Sequence, residues 1–300
     1  MMRKTAVALG SFDGLHRGHM SVIACTADFE RECGLSPRVL LFDNHPMFFL
    51  KGFAPEKILQ DSLRDEILSS GGYETAVIPF IYIKDMNCRE FFEKIILKKL
   101  NAGAICCGWN YRFGKGGEGD CETLKSLCDE FGVKLKIVPH VDFDGEPISS
   151  TRIRKAVKNG DVPLANAMLG REFCYKSTVV SGHQRGRLIG APTINQHFEK
   201  NFVFPKKGVY ASVTVVEGTE YPSVTNIGLR PSFENEDFRS ETCILGFSGD
   251  LYGQDIEVRL LGYLRDEIKF DSMESLSAQI EKDAGKSKEL FAKRGADCNV

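Results

Sequence analysis

Two histidines three residues apart, His16 and His19, stand in the stretch GSFDGLHRGH (residues 10–19) with three glycines, Gly10, Gly14 and Gly18. Imidazoles donate hydrogen bonds to phosphate oxygens and stabilise charge gathering there, and residues i and i+3 on a forming helical turn face the same ligand. The glycines let backbone amides come close to a phosphate. The helix that follows adds unpaired N–H groups and the positive end of its dipole, both of which favour an anion. This chemistry suits transfer of a nucleotidyl group with pyrophosphate leaving, where the protein positions reactants and stabilises charge. The stretch has no GxGxxG and no GK[ST], which disfavours dinucleotide-binding and Walker-type phosphate loops. Taken alone, the pair reads equally well as two exposed turn histidines.

A second candidate is GHQRGRLIGAPTIN, residues 182–195. Backbone donors around Gly186, with Arg185 or Arg187, can cradle phosphates. The Thr193 hydroxyl and the Asn195 carbonyl are hard oxygen donors that suit Mg²⁺. By itself this stretch reads as a β turn with a charged rim.

The elements that must position these residues follow from the hydrophobic pattern. Thr5-Ala6-Val7-Ala8-Leu9 is a short buried-strand run, and Met20, Ile23 and Ala27 fall on one helical face after the glycine turn. Further strand runs at 38–43, 75–81, 103–109 and 133–139 alternate with helical stripes. One stripe is Cys88, Phe91, Phe92, Ile95 and Ile96, and another is Leu124, Leu127, Cys128 and Phe131. That rhythm predicts a parallel sheet with helices, so the glycine turn lies at the ligand-binding carboxyl edge. After about residue 170 the texture becomes β-rich with glycine and proline turns, through KSTVVSG, GVYASVTVV, ETCILGF and DIEVRLLGYL, until a helix in SMESLSAQIEKDAGKSKEL. This predicts a small antiparallel β-barrel closed by a C-terminal helix. A short helix ending at Gly170 marks the hinge region, and the domains are read as 1–165 and 166–300.

Composition sets the outer bounds. The chain has 300 residues, 42% hydrophobic and 27% charged, which is ordinary globular usage with length for two domains. A formal net charge of −2 gives no basic field, so no nucleic-acid partner is expected. No apolar run reaches membrane-spanning length and the N-terminus runs directly into a strand, so a cytoplasmic protein without membrane or obligate protein partner is expected. The ten cysteines sit mostly in apolar periodic segments and form no CxxC pair, which reads as reduced core thiols and not as disulfides or a zinc site.

The first stretch resembles the HxGH signature of the nucleotidyltransferase superfamily, and ISSTRIR at 148–154 is similar to that superfamily's other phosphate-binding element. There Ser149, Ser150 or Thr151 can cap a helix and Arg154 can reach the same pyrophosphate oxygens. CGWNYRFGKGGEGD at 107–120 and FDNHP at 42–46 resemble segments of bacterial FAD synthetases. In the second half PTIN, GVYA, NIGLRPSF and DLYG follow the order seen in riboflavin kinases. Together these elements identify the chain as similar to the prokaryotic bifunctional riboflavin kinase/FAD synthetase (FMN adenylyltransferase) family over nearly its whole length.

The resemblance implies a Rossmann-like N-terminal sheet and a β-barrel kinase domain. It implies phosphorylation of riboflavin to FMN and adenylylation of FMN to FAD, with ATP as co-substrate and Mg²⁺ as cofactor. It places ATP and its phosphates on Gly10, Phe12, Asp13, Gly14, Gly18, Ser150, Thr151 and Arg154, and on Gly186 and Arg187. It puts the flavin on His45, Pro46, Asn110, Arg112 and Arg265, and the metal on Thr193 and Asn195. His16 and His19 become the adenylylation residues. Glu241 becomes the base that takes the ribityl hydroxyl proton. The alternatives are an FAD synthetase with an impaired kinase domain, another HxGH enzyme such as a cytidylyltransferase, and a flavin-binding sensor without turnover.

Overall fold

The computed structural model of the chain describes residues 3–181, 193–231 and 236–297. Its contacts divide it into two units, Met1–Lys57 with Asp61–Ser150, and Ile58–Gln60 with Thr151–Val300.

In the first unit β1 (Thr5–Leu9) leads to α1 (Arg17–Cys33), β2 (Ser36–Phe42), α2 (Pro46–Lys51), α3 (Asp61–Ser70) and β3 (Glu74–Ile78). Next come α4 (Cys88–Phe91), which runs on as a π-helical stretch over Phe92–Lys99, β4 (Ala102–Gly108), α5 (Cys121–Phe131), β5 (Lys134–Val138) and a small hairpin, β6 (Asp142–Phe143) with β7 (Glu146–Pro147). The strands lie in the order β3-β2-β1-β4-β5, and every pairing is parallel. The expected parallel sheet is therefore present. The chain steps outward from β1 to β3 and then crosses to β4, so the order reverses between β1 and β4, where ligands bind in open sheets.

Every residue of β1 is buried, because helices cover both faces of the sheet; this is why it reads as an unbroken apolar run and not as an alternation. Val7, Leu40, Phe92, Ile96, Ile105 and Leu124 share one core. Cys106 and Cys107 point to opposite faces of β4 and both are buried. One strand is shorter than its sequence pattern. The run over 75–81 stops at Ile78 because Pro79 has no N–H for the ladder, and Phe80–Tyr82 forms a 3₁₀ turn instead.

The division between units falls at the first turn of α6 (Ser150–Asn159), which is followed by α7 (Val162–Leu169). α7 ends at Gly170 in the left-handed conformation, φ 74°, the C-cap its sequence predicts. The second unit then has β8 (Phe173–Thr178), β9 (Thr193–His197), β10 (Gly208–Val216), β11 (Thr219–Pro231), β12 (Glu236–Ile244), β13 (Asp255–Arg265) and α8 (Met273–Asp297). The strand order is β8-β13-β10-β11-β12-β9, antiparallel throughout.

The sheet curls until its edges meet. Val180 N–H donates to Asn195 O at 2.9 Å, and Ser177 Oγ donates to His197 O at 2.8 Å. A buried network of hydroxyls, Ser212, Thr214, Ser223, Thr225 and Thr242, links three strands through mutual hydrogen bonds of 2.8–3.0 Å. α8 packs against β10, β11 and β13, as expected of a terminal helix closing the sheet. No helix among the described residues is long and apolar enough to cross a membrane.

Candidate active sites

The backbone between β1 and α1 is forced into unusual conformations. Phe12 (φ 47°), Gly14 (φ 85°) and Leu15 (φ 42°) all lie in the left-handed region. For a non-glycine residue this costs about 1–3 kcal/mol and persists only where packing imposes it. Phe12 and Leu15 are buried in the core, which supplies that packing.

The turn delivers His16 to the N-cap of α1, where its Nδ1 accepts the His19 backbone N–H at 3.2 Å. The neutral ring therefore carries its hydrogen on Nε2, as a donor. The His19 ring stacks on His16 with centroids 3.6 Å apart and planes 17° apart. Phe12 meets His19 edge-on at 5.5 Å. Gly18 is needed for this pairing, since a Cβ there would lie 3.2 Å from His16 Cε1 and 3.3 Å from its Nδ1.

Both histidines line a cavity of about 580 Å³ at the carboxyl ends of the strands. Gly10, Phe12 and Gly18 line it from the same turn, Pro46 from the start of α2, Trp109 to Arg112 from the end of β4, and Ser150 from the start of α6. Ser150 Oγ donates to Asp13 O at 3.1 Å and ties that helix start to the turn. Asp13 and Gly14 shape the turn without lining the cavity. His45 caps α2 through Nδ1, which accepts the Met47 N–H at 3.2 Å. Arg112 stands 4.0 Å from Asp120, whose carboxyl is held below its usual range, first by the Thr123 backbone N–H and then by the Thr123 hydroxyl. Burial pushes the Tyr111 phenol, in the same segment, upward. Thr151 and Arg154, further along α6, belong to the second unit.

In the second unit Glu241 on β12 sits directly opposite Asn195 on β9 and opposite Asn226 on β11. Cross-strand partners point their side chains to one face, so these three polar residues form a row. Thr193 is two residues from Asn195 on β9, on that same face, opposite Cys243. Asn226 Nδ2 donates to Glu267 Oε1 at 3.1 Å, while its buried Oδ1 has no donor among the described residues. Gly186 and Arg187, with the rest of residues 182–192, lie outside the described residues.

The oxygens of Thr193, Asn195 and Asn226 beside a carboxylate fit a hard divalent cation. Among the described residues no group of three His, Cys, Asp or Glu side chains could hold a metal. Mg²⁺ takes one or two protein ligands and completes its shell with water and substrate phosphate. Arg265 has another partner: its Nε and Nη2 lie 2.9 and 2.8 Å from Asp283 Oδ2 on α8, and Asp283 is buried.

Two family models match in tandem, FAD synthetase over residues 1–152 and riboflavin kinase over residues 169–291. The bifunctional riboflavin kinase/FMN adenylyltransferase of Listeria monocytogenes is 33% identical over 292 residues, covering 96% of this chain and 92% of that one. The chain belongs to the bifunctional riboflavin kinase/FMN adenylyltransferase family. Its relative from Bacillus subtilis is 33% identical over 298 residues, covering 96% and 93% of the two chains. The crystal structure of a macrolide-efflux protein from Streptococcus pneumoniae shares the fold, with TM-score 0.88, 32% identity and coverage of 96% and 95%.

Seen as a member of this family, the chain has polar and aromatic groups at both sites that its sequence pattern did not single out. Asn226 became visible only through strand register. Trp109 and His140 line the first cavity, and Asp142 holds His140, because β4 and β5 pair side by side. The one sequence signal was position, since Trp109 follows the mostly buried β4 and His140 the edge strand β5, both at the carboxyl end of the sheet.

Proposed function

We infer that this chain is a transferase that makes FAD from riboflavin in two ATP-dependent steps, and that residues 166–300 carry the first and residues 1–165 the second. The tandem match of the two family models carries this reading. In the first step the terminal ribityl oxygen of riboflavin bonds to the γ-phosphorus of ATP, the bond to the β-phosphate oxygen breaks, and Glu241 takes the hydroxyl proton, giving FMN and ADP. Mg²⁺, when bound, supplies positive charge at the phosphoryl oxygens, and Thr193 and Asn195 are the residues that would hold it. Gly186 and Arg187 bind ATP phosphates.

In the second step a phosphate oxygen of FMN bonds to the α-phosphorus of ATP and pyrophosphate leaves, giving FAD. The reaction needs no protein nucleophile, so the site's work is to position and stabilise charge. His16 Nε2–H and the His19 ring are the donors to pyrophosphate-side oxygens in this reading, with Gly10, Phe12, Asp13, Gly14, Gly18 and Ser150 around the ATP phosphates. His45, Pro46, Asn110 and Arg112 shape the flavin side. In this reading the enzyme works in the cytoplasm on small-molecule substrates.

Incubation with riboflavin, ATP and Mg²⁺, followed by chromatography over time, tests the reading. FMN should appear first and FAD after it, with pyrophosphate released in step with FAD. FAD from supplied FMN but no FMN from riboflavin would reduce the chain to an FAD synthetase. Turnover of CTP but not ATP would overturn the nucleotide assignment.

A further inference from the structure

Trp109 is the single tryptophan of the chain and stands at the carboxyl end of β4. Its backbone is fixed, since Trp109 N–H donates to Val138 O at 2.9 Å at the end of β5. Its side chain nevertheless stays 54% exposed and lines the cavity. A large aromatic on rigid backbone at a cavity mouth is a contact surface in search of a flat partner. The His140 ring meets the Trp109 ring at a centroid distance of 5.8 Å and an angle of 71°, so the two form a corner. His140 Nδ1 lies 2.7 Å from Asp142 Oδ1, which fixes the orientation of the imidazole and places the hydrogen on Nδ1. The same cavity is thus lined by the imidazoles of His16 and His19 and by the aromatic corner of Trp109 and His140. Such a cavity matches a ligand with phosphate at one end and a flat ring at the other.

We propose that Trp109 and His140 form a ring clamp, in which a planar heteroaromatic ring of a substrate lies on the Trp109 indole and meets His140 at its edge, with Asp142 as the residue that positions His140. The proposal rests on the reading of the first unit as an FMN adenylyltransferase, whose two substrates carry an isoalloxazine and an adenine. Stacking on an aromatic side chain is lost on truncation with about a tenfold weakening. Because Trp109 is half exposed, its removal leaves stability nearly unchanged.

The full-length protein supplies its own probe. FMN, or a non-hydrolysable ATP analogue, is titrated into the parent and Trp109→Leu proteins. Flavin emission is excited in its visible band, where indole does not absorb, so that the difference between parent and Trp109→Leu isolates quenching by Trp109 from that by Tyr111 in the same cavity, and indole emission reports adenine. FAD formation is assayed in parallel. Contact with isoalloxazine is read as bound-FMN emission several-fold lower in the parent than in Trp109→Leu, with about a tenfold rise in KM for FMN and kcat little changed. Contact with adenine is read as a change of indole emission with the analogue and the same rise in KM for ATP. His140→Ala and Asp142→Asn should each raise that KM, and the double variant should be no worse than His140→Ala. Unchanged emission with both ligands, together with parental KM values in Trp109→Leu, would overturn the clamp while leaving adenylylation in place. Absence of FAD formation by the parent protein would remove the reading on which the clamp rests.

Discussion

The rings of His16 and His19 lie face to face, 3.6 Å between centroids, while the Nδ1 of the first accepts the backbone N–H of the second. One imidazole thus does two jobs, capping a helix and presenting Nε2–H, and the two can be separated by substitution. Asparagine is as good an N-cap as any residue but has no Nε2 donor, so His16→Asn should keep the melting temperature while His16→Ala loses about 1 kcal/mol of stability. Both should slow FAD formation from FMN by about 10²–10³-fold, the usual loss for one preorganised charge-stabilising donor. Riboflavin phosphorylation should persist in both. Parental adenylylation by His16→Asn would show that the imidazole serves the fold alone.

Gly18 offers a test in which activity and stability move in opposite directions. It lies in the first turn of α1, and alanine is better than glycine in a helix by about 1 kcal/mol. The added Cβ would stand 3.2 Å from the His16 ring, tighter than ordinary contact, and would press it out of its stack. Gly18→Ala should therefore hold or raise the melting temperature while lowering kcat/KM for adenylylation. A variant that melts earlier and reacts at the parental rate would contradict this geometry.

Glu241 faces Asn195 and Asn226 from the neighbouring strands. Glu241→Gln keeps the shape and removes the proton acceptor, so FMN production from riboflavin should fall by two or more orders of magnitude. Conversion of supplied FMN to FAD should be untouched. Asn226→Asp puts a second carboxylate beside Glu241, and the like charge should shift the acidic limb of the kinase pH profile upward. Riboflavin phosphorylation followed with labelled ATP across the pH range reads both effects.

Much of this architecture was legible in the chain, and the exceptions have a common cause. β1, the glycine turn and α1 are a local unit, so an unbroken apolar run, three glycines and a helical stripe suffice to place His16 and His19. The parallel sheet follows from its alternating rhythm, and the α7 terminus from Gly170. What local pattern cannot carry is register between distant strands. Asn195, Glu241 and Asn226 meet because β9, β12 and β11 pair with one particular offset, and a shift by one residue would turn Glu241 to the other face. Trp109 and His140 come together because Gly108 pairs with Val138. The strand ending at Ile78 was overextended because the apolar run continues past Pro79, where the ladder cannot.

Arg265 shows how a partner outside the local pattern changes a residue's role. Its guanidinium makes two contacts with Asp283 Oδ2 on α8, and the Asp283 side chain is only 2% exposed. Removing one member of a buried pair leaves an uncompensated charge and costs about 3–5 kcal/mol. Arg265→Ala should therefore lower the melting temperature markedly, and Arg265→Met with Asp283→Leu should recover most of it. If instead Arg265→Ala keeps its melting temperature and only the KM for riboflavin rises, the residue contacts the flavin and the pair with Asp283 is dispensable.

The last prediction concerns alkali. Burial pushes the Cys107 and Cys128 thiols up to about 12 from the ordinary 9.0, and Cys106 upward as well. In the unfolded chain these thiols ionise near 9, whereas in the folded chain they keep their protons, so between about pH 9 and 12 the unfolded state binds fewer protons and folding stability falls as pH rises. Below pH 9 both states hold the proton and this contribution vanishes. Denaturant midpoints should decline from pH 9 upward, less steeply once Cys107 and Cys128 are replaced by alanine or valine. At neutral pH, alkylation followed by mass spectrometry should label these three positions only after denaturation; rapid labelling of the native protein would show that the sheet core opens to solvent.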